Sequence, residues 1–156
     1  MQQLHLIGLM INLIKITVII LLSAASFQDI YEKKISTYII IAAAALSLIN
    51  IIISICYYSN SLLSLLISLL PGAVLLLLYL TGYRGLGLAD ILIILSFGGL
   101  FEADLLILIL FISFMSSFII TVILLVFHKT DRENSIPFIP FLTLGTVMSL
   151  ILDFYL

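Results

Sequence analysis

Six apolar runs, each bounded by short polar breaks, set the limits on what this chain can fold into. They cover residues 6–27, 37–57, 62–80, 89–100, 105–127 and 138 onward. Wound as a helix, about 20 apolar residues match the hydrocarbon core of a bilayer, and none of the runs alternates like a barrel strand. The chain is 64% hydrophobic and 9% charged, against about one quarter charged in a soluble domain. That polar surface is too small to cover a globule. The expected fold is all-α: a polytopic membrane helix bundle of about six transmembrane helices, forming a single domain over residues 1–156.

Two runs are irregular. The fourth has only a dozen residues before Glu102 and Asp104, too few to cross hydrocarbon unaided, so it must tilt, extend into its loop, or be shielded by neighbours. Pro71-Gly72 inside the third predicts a kink. At the start, Ser23-Ala24-Ala25 has the small residues of a signal-peptidase site. No Lys or Arg precedes Lys15, however, and the first run is expected to be retained as a span.

Charge sets the orientation. With six alternating spans, the breaks at 28–36, 81–90 and 128–137 share one side and hold Lys33, Lys34, Arg84, Lys129 and Arg132. The opposite side has no Lys or Arg and carries Glu102 and Asp104. Cations collect on the cytoplasmic side, which places both termini outside. No basic cluster with interleaved aromatics exists, so no nucleic-acid partner is expected. Cys56 is the one cysteine, and His5 and His128 fall on opposite sides. No metal, disulfide or cofactor site is therefore expected.

Two acids fall at the cytoplasmic boundary. Asp29 ends the first run and Asp90 opens the fourth. An acid at the edge of hydrocarbon is costly unless it is paired or hydrated, which makes each a functional candidate. Two carboxylates that meet across a bundle suit hydrolysis: one draws a proton from water while the other, protonated, polarises the scissile carbonyl. Helix dipoles alone put the charge on Asp90, at a helix N-terminus, and the proton on Asp29, at a C-terminus. Plainer readings stand beside this one: Asp29 paired with Lys33 or Lys34, and Asp90 as the N-cap of an ordinary loop. That loop, Gly82-Tyr83-Arg84-Gly85-Leu86-Gly87-Leu88-Ala89-Asp90, is the most glycine-dense stretch of the chain. Its glycines let the backbone turn or let another chain approach.

Three segments carry a family resemblance. Asp29-Ile30-Tyr31-Glu32-Lys33-Lys34-Ile35-Ser36 resembles an Asp, basic residue, Ile-Pro stretch; Gly85-Leu86-Gly87-Leu88-Ala89-Asp90 resembles a Gly-x-Gly-x-Gly-Asp region; Ile136-Pro137-Phe138-Ile139-Pro140-Phe141, followed by Gly145, resembles an Ile-Pro-Phe-x-Pro segment. In this order they resemble the type IV prepilin peptidases and the archaeal preflagellin (prearchaellin) peptidases, which are GxGD aspartic membrane peptidases. The resemblance implies an aspartic endopeptidase with Asp29 and Asp90 catalytic. It implies pilin-like or archaellin precursors as partners, cut at the cytoplasmic face of the cell membrane to remove a short charged leader.

Gly85, Gly87 and Ala89 are candidates for supporting the loop and admitting the substrate backbone beside Asp90. Glu32, Asp131 and Glu133 either receive the leader's cations or simply balance the loop lysines and arginine. Ala89 stands where the family pattern has Gly, Ser36 where it has Pro, and Leu92 where Lys is common. The cysteine-rich insert of the larger bacterial enzymes is missing, and with it any reason to expect N-methylation. A presenilin-like intramembrane protease and a transporter or channel subunit binding ions at Asp29 and Asp90 are the competing readings.

Lys15 and Asp153 lie at matching depth, each about 20 Å from the cytoplasmic boundary at 1.5 Å per residue. That equality predicts an ion pair between the first and last spans, in competition with snorkelling of Lys15 to the outer surface. Ser113, Ser116 and Ser117 are expected to bond backbone carbonyls or pack helices.

Overall fold

The computed structural model describes residues 2–32, 34–58, 62–82, 85–127 and 137–155. Lys33, Arg84, His128, Lys129, Asp131, Arg132 and Glu133, which bear on orientation and leader recognition, lie outside them, as does the side chain of His5. The described residues form six helices: α1 (Gln2–Glu32), α2 (Thr37–Tyr58), α3 (Leu62–Leu80), α4 (Leu88–Phe97), α5 (Ala103–Val126) and α6 (Ile139–Tyr155). Four of them, α1, α2, α3 and α5, are long and apolar enough to cross a membrane. The protein is a multi-spanning helical membrane protein. Its outer surface carries large exposed hydrophobics such as Leu13, Ile20, Leu66, Phe111 and Phe118, as lipid contact requires.

Helix α6 packs along α5 and α1, while α4 packs along α3 and α2; α1–α2 and α3–α5 contacts close the bundle. At ten residues, α4 is roughly 15 Å long, half the hydrocarbon thickness. Shielding resolves the difficulty: Ile91, Ile93, Ile94, Ser96 and Phe97 are all buried. Of these, Ile93, Ile94 and Phe97 share one core with Val18 and Leu22 of α1, Leu106 and Ile109 of α5, and Leu142 of α6. Beyond α4 the chain turns through Gly98 and Gly99, where Asn50 Nδ2 of α2 donates to the Gly99 carbonyl at 2.9 Å. A side-chain amide thus satisfies backbone that neither a strand nor water covers.

Small residues let the helices approach. On α3 the helix runs unbroken through Pro71, and a Cβ on the adjacent Gly72 would come within 2.5 Å of Leu95 Cα on α4. On α6, a Cβ at Gly145 would strike Ser113 Oγ and approach the Ile109 carbonyl of α5 to 2.7 Å. Ser113 itself donates to that carbonyl and Ser116 to the carbonyl of Ser113, the local bonding expected of both.

The first helix differs from expectation at its end. The apolar run stops at Phe27, yet α1 continues to Glu32. Gln28 explains the extension: its Nε2 donates to Glu32 Oε2 at 3.2 Å, one turn on, and its Oε1 accepts the Ser36 amide at 3.0 Å. Asp29 therefore sits in the last turn of a helix instead of in a loop.

Candidate active site

Asp29 is 7% exposed. Its Oδ2 accepts the backbone N–H of Ile139 at 3.2 Å, so a side chain on α1 caps the first residue of α6. The Ile-Pro-Phe-Ile-Pro sequence explains why that amide is the donor. Pro137 and Pro140 have no N–H, and the amides of Phe141 and Leu142 both turn back to the Phe138 carbonyl. The amide of Ile139 is left to face the carboxylate. An unpaired N–H at a helix start is a natural anion partner. Sequence reasoning missed this donor; the paired prolines are the signal that could have found it.

Asp90 lies in the first turn of α4, whose N-cap is Gly87 rather than Asp90 itself. The carboxylate folds back over the loop, so that a Cβ on Gly87 would sit 3.1 Å from Asp90 Oδ2. Among the described glycines of this stretch only Gly82 takes a left-handed backbone, at φ 97°, in the turn just after α3. Burial pushes the Asp90 carboxyl up to about 6; the negative charge of Asp29 adds to the rise, and a hydrogen bond from the Gly87 backbone opposes it. The two acids, 61 residues apart in the chain, are thus close enough for one to act electrostatically on the other. Gly85, Gly87 and Leu88 are exposed, while Ala89 is half-buried.

An open cavity of about 460 Å³ lies beside this loop, lined by Gly85 and Leu86 together with Leu75, Leu78, Phe114 and Phe138. Neither aspartate lines it. Its lining comes close to each in sequence only: Leu86 precedes Asp90 in the loop, and Phe138 precedes the residue that Asp29 holds. Among the described residues no group of three or more His, Cys, Asp or Glu side chains gathers at a point that could hold a metal.

At the opposite end of α1 and α6, Lys15 Nζ lies 3.4 Å from Asp153 Oδ2, the pairing that equal depth predicts. Lys15 lies 14 residues from Asp29 along α1.

Residues 16–128, well over half of the chain, match the type IV leader peptidase family. The matched region contains both candidate aspartates and the glycine-rich loop and stops short of the Pro137–Pro140 segment. No curated protein and no solved structure matches the chain. On the extent of that family match, the chain belongs to the type IV leader peptidase family.

Proposed function

We propose that the protein is a membrane aspartic endopeptidase that removes the short leader of pilin-like or archaellin precursors at the cytoplasmic face, with Asp29 and Asp90 activating water. The observation that carries this reading is electrostatic. Two acids on different helices, one buried and one half-buried, lie at the end of the bundle where the glycine-rich loop lies, near enough for the charge of Asp29 to raise Asp90. Membership of a leader peptidase family supplies the reaction class.

Asp29 ends α1 and accepts the first amide of α6, and we assign it the role of proton acceptor. Asp90, pushed up to about 6, is assigned the role of proton carrier. In the proposed step, ionised Asp29 takes a proton from water, whose oxygen attacks the scissile carbonyl carbon. Protonated Asp90 donates a hydrogen bond, then its proton, to the carbonyl oxygen. Collapse of the tetrahedral intermediate returns that proton to Asp90 while Asp29 delivers its own to the leaving nitrogen, restoring both groups. Gly85, Gly87 and Ala89 leave room for an extended substrate backbone, and the apolar cavity beside Leu86 suits the precursor's hydrophobic segment.

The test is processing of a pilin-like precursor by membranes containing the protein, repeated with Asp29→Asn and Asp90→Asn. Loss of cleavage in both is expected. Cleavage that survives either substitution overturns the proposal.

A further inference from the structure

The seam between α1 and α6 carries two hydroxyl groups in contact, one from each helix. Ser26 Oγ and Thr143 Oγ1 are 2.5 Å apart. Thr143 Oγ1 also lies 2.9 Å from the Ile139 carbonyl and 3.3 Å from the Leu22 carbonyl. A hydroxyl has one hydrogen. Given to the nearer carbonyl, that of Ile139, it leaves Thr143 Oγ1 to accept the hydrogen of Ser26. Ile139 is then held at both ends: its N–H by Asp29 of α1, and its C=O through Thr143 by Ser26 of α1.

The spacing makes this a closed ring. Ser26 is three residues before Asp29 and Thr143 four after Ile139, so each pair stacks on one face of its own helix. Side chain, side chain, α6 backbone, Asp29 carboxylate and α1 backbone return to the start. One lock prevents sliding of the helices past each other, and two locks one turn apart also prevent rotation. The ring fixes where the Asp29 carboxylate stands relative to the Ile139 amide.

We propose that Ser26 and Thr143 are positioning residues for Asp29, locking the register of α1 against α6 so that the Ile139 amide stays aimed at the carboxylate. The role in turnover rests on the peptidase reading above; the lock itself does not. Thr143→Val removes the hydroxyl at nearly constant shape and strands no partner. Ser26 is then free to bond the Leu22 carbonyl one turn back, as Ser23 bonds that of Ile19.

Three proteins test the idea: wild type, Thr143→Val and Thr143→Ser, the last keeping the hydroxyl. Precursor cleavage by Thr143→Val is expected to show kcat lowered about tenfold with KM within twofold, and Thr143→Ser to return kcat to within twofold of wild type. A second readout needs no substrate: exchange of the Ile139 amide hydrogen, followed by NMR of 15N-isoleucine-labelled protein in micelles. It is expected to quicken about tenfold in Thr143→Val and to stay native in Thr143→Ser. Native exchange in Thr143→Val, or equal damage in Thr143→Ser, overturns the lock. Should Asp29→Asn still process precursor, the peptidase reading falls while the exchange result continues to decide this one. Ser26→Ala breaks the same ring from the other helix and guards against misfolding of a single variant.

Discussion

The two ends of the α1–α6 seam use the same helices and opposite physics. At one end Asp29, nearly inaccessible, accepts one backbone amide and has no cation on it among the described residues. At the other, Lys15 and Asp153 form a direct ion pair with both side chains substantially exposed, 31% and 50%. An exposed pair is held by weak, screened attraction and is worth little. A buried carboxyl held by a backbone amide has its position fixed without a cation beside it, as the proposed proton acceptor requires. The comparison teaches that the buried acid is the one held by backbone, although the other end has the more conspicuous charges.

The comparison breaks first at Asp29 and Asp90. On the proposed reading each Asn variant loses on the order of 10²–10⁴ in the rate of precursor cleavage, while Lys15→Met and Asp153→Asn leave it unchanged. Equal losses at both ends would show the seam to be structural throughout.

Dependence on pH sharpens it further. If Asp90 must hold a proton, activity falls as pH rises through about 6, roughly tenfold per unit beyond, as a single titration requires. Stability moves with the same group. Its folded value is raised, so the stabilisation is complete below the ordinary 3.8 and is lost as pH climbs through about 6. Asp90→Asn is therefore expected to melt higher than wild type at pH 8, with the gain gone below pH 4, as read by thermal unfolding in detergent. A wild-type melting point that does not fall between those limits would remove Asp90 as the buried proton carrier.

Smaller effects follow along the helices. Gly145→Ala places a methyl against Ser113 and the Ile109 carbonyl, and overpacking of this kind costs about 1–3 kcal/mol. Lys15→Met should cost less than about 1 kcal/mol. A larger loss at Lys15 than at Gly145 would invert the ranking of polar pairing and close packing in this bundle.

Hydropathy made the elements legible: α3 falls on 62–80 as expected, and the other runs agree within a few residues except at the start and end of α1. Depth counting from the two boundary residues found the Lys15–Asp153 pair. The opposing partners of the site were illegible for a physical reason. In helices apolar on every side, no stripe reveals which face meets which neighbour, so neither the amide of Ile139 nor the Ser26–Thr143 contact could be read. Asp29 is a case in point: it lies at the C-terminus of its own helix, and the helix it touches offers an N-terminus.

The brevity of α4 reaches beyond the site to how the protein is made. Ten residues cannot partition into lipid by themselves, because both ends would leave backbone groups stranded in hydrocarbon. This segment can settle only when α2 and α3 are already in place to receive it, with Asn50 waiting for its far end. Biogenesis is therefore expected to be ordered, the first three helices forming a berth into which the piece bearing Asp90 is delivered afterwards.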